Sequence, residues 1–457
     1  MNKNQIKYYS TNLKAPEVTF REALLKGLAP DGGLYMPTHI PAIGVKDIEG
    51  FSSKEYYEIA HHILYSFLKN EIDPGRLMEL CRDSYNFVIP LERVFDDVHV
   101  LRLDQGPTAS FKDFASRMMA RLMNHFVSSD RKHYTIITAT SGDTGSAVAS
   151  AFHGLENIDV IILFPHKEVT DIQRKQMTTL GVNIHVIAVD GKFDDCQQFA
   201  KRAFTDPQIS GFHLSSANSI NIGRLLPQSV YYFYAWSRTA RSIGSPAVFS
   251  VPSGNFGNLM GGIIAREMGL PVSRLVISTN CNNEVPKYLK EGFYSIISPS
   301  INCISSAMNV GHPGNFARII DLYGGMMDQN GRIIKKPDTG KMNYDFYGTF
   351  VTDEATRKTI ADCYRKYNLL LEPHGAVAWK GLESYLENRS FPESAGQKYI
   401  ALETAHPGKF AEIIDQELGF IPPLPPRLSG IGNKEENYIV IDNNYEAFRE
   451  NILKLVK

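Results

Sequence analysis

Tryptophan and cysteine are both scarce in this chain of 457 residues, with two and five copies. The cysteines Cys81, Cys196, Cys281, Cys303 and Cys363 are scattered and odd in number, and no C-x-x-C pair occurs. A disulfide framework and a zinc knuckle are thereby excluded. Charge of one sign is also lacking: 48 Lys and Arg face 49 Asp and Glu, a formal net charge of -1. Such a balance carries no global footprint for nucleic acid or for an anionic membrane. Long apolar runs are missing too. Val160 to Phe164 is among the longest and is far too short to span a bilayer. The N-terminus MNKNQIKYYS has no apolar core of a signal peptide, so a cytoplasmic location is expected. No H-E-x-x-H or comparable spacing appears, and no metal is expected.

What is present describes a globular protein. Hydrophobic residues make up 43% and charged residues 21%, outside the disordered range. The length predicts roughly three domains. Residues 1–92 read as mostly helical, with amphipathic FREALLKGLA and KEYYEIAHHILYSFLKN around the turn-rich PDGGLYMP. From about Arg93, short β-branched runs alternate with helical stretches, the pattern of a parallel α/β sheet. Two α/β domains are expected, over 93–243 and 244–457, with the chain free to cross between them.

Two units within them resemble each other. YTIITAT runs into SGDTGSA, the helix AVASAFHG and the strand DVIILFP; AVFSVP runs into SGNFGN, the helix LMGGIIAREMGL and the strand RLVISTN. Each is strand, Ser-Gly-x-x-Gly, helix, strand. A Gly-rich turn at a helix N-terminus leaves N–H groups free, a place where an anion is favoured. Neither turn is a Walker loop, since Gly408-Lys409 is followed by Phe410, and no G-x-G-x-x-G occurs. Gly257 is expected to make room for a phosphate with φ > 0.

The segment Phe111 to Phe126 carries a helical apolar stripe through Phe114, Ala115, Met118, Met119, Leu122 and Met123. Arg117, Arg121, Asn124 and Asp113 fall on the opposite face. Lys112 instead lies inside the apolar arc. It either snorkels past the first turn or is a desolvated amine of lowered pKa, as Schiff-base chemistry requires. Among the histidines, His61 and His62 read as bystanders, His312 and His374 as turn residues, and His406 as a helix-entry residue or a site contact. The run Tyr231 to Tyr234 with Trp236 reads as core.

These residues carry a family resemblance. PTASFKDFA is similar to the lysine motif of pyridoxal-phosphate enzymes of the tryptophan-synthase β superfamily, fold type II, and specifically of threonine synthases. GLAPDGGLYMP, TATSGDTGSA, NSINIGRLLPQSVYYF, VPSGNFGN and LETAHPGKF resemble further motifs of that family, in its order. The resemblance implies two open-sheet α/β domains flanking a cofactor cleft, with a helical N-terminal domain. It implies pyridoxal 5'-phosphate as cofactor and O-phospho-L-homoserine as substrate, in a monomer or homodimer. The implied activity is that of a carbon–oxygen lyase acting on phosphates, giving L-threonine and phosphate. A phospho-lyase ending at 2-ketobutyrate is the nearest alternative, a threonine dehydratase-like activity a more distant one, and a non-catalytic binding protein on the same fold the alternative from a different class.

The family also implies roles. Lys112 carries the cofactor covalently and then moves protons. Gly254, Asn255, Phe256, Gly257 and Asn258 hold its phosphate, Asp143 approaches its phenolic oxygen, and Thr404 meets its ring nitrogen. Ser141, Gly142 and Thr144 gather the substrate carboxylate, while Thr108, Asn221 and Arg224 face the substrate phosphate. Two departures stand out. Many family members read NWAR where this chain has Asn221-Ile222-Gly223-Arg224. Asp143 replaces an amide found in superfamily relatives, and a carboxylate beside a phenolate requires a shared proton or extra donors.

Overall fold

A computed structural model describes residues 5–130, 132–209, 211–240, 242–388 and 394–455. Its strands are β1 Tyr8–Ser10, β2 Tyr35–Pro37, β3 Leu91–Phe95, β4 Val98–Arg102, β5 Tyr134–Ala139, β6 Ile158–Pro165, β7 Ile184–Asp190, β8 His213–Ser216, β9 Ala247–Pro252, β10 Val272–Thr279, β11 Met326–Met327, β12 Ile333–Lys335, β13 Phe346–Phe350, β14 Lys398–Glu403 and β15 Ile439–Asp442. The larger sheet has six strands in the order β13-β10-β9-β14-β4-β3, the smaller has five in the order β15-β7-β6-β5-β8. Within these two sheets all pairs are parallel except β3 with β4. The central strands β5 and β9 are buried along their whole length. Their sequences are accordingly apolar runs rather than alternations, as helices on both faces require.

The expected 93–243 and 244–457 segments exchange strands. β4 precedes the smaller sheet in the chain yet pairs with β14 in the larger one. β15 closes the chain by pairing with β7 in the smaller sheet. Local patterning marks a strand, whereas partner choice depends on contacts far apart in sequence.

In both Gly-rich units the helix begins inside the turn, earlier than its apolar residues suggest. One helix runs Asp143–Phe152, the other Gly257–Glu267. Gly142 stands before the first at φ 130° and ψ -87°, a conformation open to glycine alone. Before the second it is Phe256 that takes the left-handed conformation, at φ 61°. Gly257 does not, contrary to expectation.

The N-terminal region adds the antiparallel pair β1–β2 and the helices Phe20–Lys26, Val45–Gly50, Tyr56–Leu68 and Pro74–Ser84. Thr19 and Glu22 form a capping box on the first of these. Arg318 binds this region to the rest. Fully buried, it donates to the Tyr35, Ser219 and Ile220 carbonyls and to Asn315 Oδ1. Burial pushes its guanidinium down to about 9. Among the described residues no helix is long and apolar enough to cross a membrane, and no group of three or more His, Cys, Asp or Glu could hold a metal ion.

Arg318→Met leaves those carbonyls buried without donors. The expected cost is about 3 kcal/mol, read as a lower urea midpoint with an unchanged slope.

Candidate active site

One cleft collects the ends of both sheets. Lys112, Asp143, Arg224, Gly257, His374 and Thr404 all line it.

Lys112 opens the helix Lys112–Asp130, whose apolar stripe is buried as the periodicity requires. The loop before it runs along the end of β14: Phe111 N–H donates to the Thr404 carbonyl at 2.8 Å, and Ser110 bridges Ala405. This backbone contact turns the amine into the cleft, with Nζ 5.0 Å from the Phe111 ring centroid. Burial lowers the Lys112 pKa, Asp143 opposes that shift, and Lys409 and Arg224 add to it. Asp113 is not on a solvent face. It is fully buried, where its Oδ2 accepts from Thr108 N and its Oδ1 from Thr108 Oγ1, both at 2.8 Å. Burial raises its pKa against those donors. Thr108 is thereby committed to the loop and does not line the cleft.

Asp143 begins its helix behind Gly142, where the helix dipole favours a carboxylate. Burial alone would raise its pKa; Lys409 and Lys112 hold it well below the carboxylate range. Lys409 Nζ donates to Oδ1 at 2.5 Å and Gln173 Nε2 to the same oxygen at 2.8 Å. Lys112 Nζ stands 3.9 Å from Oδ2. These are the extra donors that a carboxylate at this position requires. Sequence reasoning missed both, although Lys409 sits in the quoted LETAHPGKF. Ser141 and Thr144 line the cleft beside Asp143, while Gly142 shapes the turn without lining it.

Across the cleft, the loop after β9 is packed against the backbone. A Cβ on Gly254 would lie 2.8 Å from the Ala307 carbonyl oxygen and from Met308 Cα. Asn255 serves structure: it donates to Ser219 Oγ at 2.6 Å and accepts from Gly314 N–H. The Asn258 carbonyl side accepts from Tyr231 and Tyr232 hydroxyls at 2.5 and 2.9 Å, so the aromatic run is core with a function. That fixes the amide orientation and leaves Asn258 Nδ2 buried without a partner. With the free N–H groups of the helix start, it forms a site for an anion.

Arg224 provides a second such place. It is buried, its Nε has no partner, and one terminal nitrogen donates to the Ala217 carbonyl at 2.5 Å. Burial pushes it down to about 10, and no carboxylate forms an ion pair with it among the described residues. Asn221 does not join it. Its Nδ2 donates to the Leu24 and Ser216 carbonyls and its Oδ1 caps the helix Ile222–Thr239 at Gly223 N–H. The expected substrate-phosphate role is replaced by a cap that ties the N-terminal helix to the site.

Thr404 donates to Glu372 Oε1 at 3.4 Å. Because His374 Nε2 accepts from Ala307 N–H, its Nδ1–H donates to Glu372 Oε2 at 2.5 Å. His374 is therefore a buried wall of the cleft held by a carboxylate, more than a turn residue. His406 caps its own turn through Gly408 N–H. Burial, then the Glu372 charge, raises the pKa of neighbouring Glu403 against the pull of Arg102.

Gly254→Ala is expected to push the loop from Ala307 and weaken an anion at the Gly257 helix start about tenfold or more. Phosphate titration followed by thermal shift checks it.

Comparison with known proteins agrees along the chain. Family models described as threonine synthase N terminus, pyridoxal-phosphate dependent enzyme and threonine synthase, C-terminal match residues 7–85, 88–400 and 376–452. The threonine synthase of Haemophilus influenzae is 39% identical over 446 residues, covering 97% of this chain and 99% of that protein. That of Pseudomonas aeruginosa is 36% identical, covering 96% of each. The structure of PLP-bound threonine synthase from Brucella melitensis is 33% identical and superimposes with a TM-score of 0.90 over 99% of this chain and 100% of that one. For the yeast enzyme the values are 29%, 0.89, 100% and 99%. This chain belongs to the threonine synthase family of pyridoxal-phosphate-dependent, fold type II enzymes.

Proposed function

We propose that the chain converts O-phospho-L-homoserine and water to L-threonine and phosphate, with pyridoxal phosphate bound in the cleft. One observation carries the reading: a desolvated amine, Lys112, shares its cleft with two separate places for an anion. The helix start at Gly257 suits the cofactor phosphate and Arg224 the phosphate of the substrate.

The residues fit the cofactor. Its phosphate oxygens would satisfy the orphaned Asn258 Nδ2 and the N–H groups of the first helical turn. Gly254 keeps the loop close enough to the wall to form that cradle. Lys112 would hold the aldehyde carbon, and the neutral Thr404 hydroxyl would meet the ring nitrogen. Bound pyridoxal phosphate supplies the electron sink that makes the substrate Cα and Cβ protons removable.

The remaining work falls to the chain. Lys112 Nζ would be the base facing the reacting carbons. Burial keeps it free of its proton more readily than an exposed lysine. The hydroxyls of Ser141 and Thr144, with the N–H groups opening the helix Asp143–Phe152, orient the substrate carboxylate. Arg224 takes the γ-phosphate, and its unpartnered Nε gains most when that group leaves as a dianion. A phosphate retained there keeps the cleft filled while water adds at Cβ, favouring hydration over early release.

Incubating the holoenzyme with O-phosphohomoserine in heavy-oxygen water is expected to yield threonine and phosphate in equal amounts, with the label in the β-hydroxyl. 2-Ketobutyrate without threonine would assign the phospho-lyase reaction instead. Borohydride is expected to fix the cofactor on the peptide holding Lys112. Lys112→Ala is expected to lower turnover by about 1000-fold or more, as measured by phosphate release.

A further inference from the structure

Lys409 is a buried lysine held against Asp143, in the wall of a cleft lined by Lys112 and Arg224. Its side chain is 0% exposed, and Asp143 is its one ion-pair partner among the described residues. Nζ also donates to the Thr108 carbonyl at 3.1 Å. It reaches Asp143 from the turn Pro407–Phe410 after β14 of the larger sheet, whereas Asp143 follows β5 of the smaller one. The pair therefore closes across the two sheets, and Gln173 completes it on the same carboxylate oxygen. The other oxygen faces Lys112 from 3.9 Å, beyond hydrogen-bond length.

We propose that Lys409 is a positioning residue whose charge occupies the Asp143 carboxylate, so that Lys112 meets the cofactor aldehyde as an uncharged amine. The inference rests on the reading of Lys112 as the cofactor lysine. Covalent capture needs the Nζ lone pair: it attacks the aldehyde carbon, and the carbonyl oxygen leaves as water with the two amine hydrogens, leaving a carbon–nitrogen double bond. An ammonium has no lone pair to give. Four charged or titratable groups face Lys112, namely Asp143, Lys409, Arg224 and Glu372, and Asp113 faces Lys409. Arg224 and Lys409 disfavour the ammonium, whereas Asp143 and, more weakly, Glu372 favour it. Without Lys409, the buried Asp143 carboxylate has Lys112 as its nearest cation. A carboxylate freed in this way holds the proton on Lys112 to higher pH.

The test follows uptake of pyridoxal phosphate by the full chain after cofactor removal, across neutral to alkaline pH, by visible absorbance and borohydride trapping. Lys409→Met is expected to move the rate profile up by about 1 to 2 pH units, with the rate at its alkaline plateau close to wild type. Lys409→Arg is expected to restore the profile. Asp143→Asn, which leaves Lys409 charged and unopposed, is expected to move the profile the other way, and joining Asp143→Asn to Lys409→Met to bring it back towards wild type. A merely structural Lys409 would lower uptake by one factor at every pH. That result overturns the proposal, as does an unchanged profile or a shift of Lys409→Met to lower pH. Should Lys409→Met fail to fold, Lys409→Gln carries the same expected upward shift, and an unchanged or lowered profile for it overturns the proposal. Trapping of wild type on a lysine other than Lys112 would instead overturn the parent reading.

Discussion

Positive charge held out of water is the constraint around which this cleft is built. Lys112 and Arg224 line it, Lys409 stands behind Asp143 in its wall, and the ion pairs these three make among the described residues all end on Asp143. Burying a charge without a partner is costly, and side chains alone do not balance these three. The deficit is met in part by Asp143 and in part by whatever anions enter. Arg224 Nε and Asn258 Nδ2 are buried there without a hydrogen-bond partner. A cleft with such unpaired donors and buried cations favours an anionic ligand.

The fold creates that imbalance by bringing strand ends together. In parallel α/β sheets the crevice lies outside the carboxyl ends of the strands, where helices begin and N–H groups are free. Here β5 and β9 each deliver such a helix start. The crossing of β4 into the larger sheet then fixes the lysine. Leu103 and Phe111 both donate backbone N–H groups to the Glu403–Thr404 stretch, so the loop carrying Lys112 is laid along β14 like an extra strand. The same stretch leads on to Lys409. One strand end thus sets the positions of two lysines and of Thr404, which makes the cleft rigid where its charges are closest.

The N-terminal region contributes through joints rather than through chemistry. Arg318 collects the Tyr35, Ser219 and Ile220 carbonyls, and Asn221 ties Leu24 to the start of the Arg224 helix. Both joints end within a few residues of the cleft wall. Hydrogen bonds made to backbone groups hold position whatever side chains surround them, which suits a wall that must carry Ser219 and Arg224 accurately.

Local physics made much of this legible from the residues alone. A period-3.6 stripe with one lysine inside it pointed to Lys112, and two strand–turn–helix units pointed to the helix starts at Asp143 and Gly257, because backbone geometry imposes those periods directly, whereas Arg224 belongs to neither unit. The ordered motifs identified the family and with it the cofactor. Tertiary contact decided the rest. Asp113, placed on the outer face by its angle on the wheel, is drawn inward by Thr108. Asn221 is consumed as a cap, and His374 becomes a wall through Glu372. The partner of Asp143 lies 266 residues away, in a Gly-Lys step that reads as an ordinary turn. No periodicity records such a pairing, since its energy exists only once two sheets have excluded water from between the two charges.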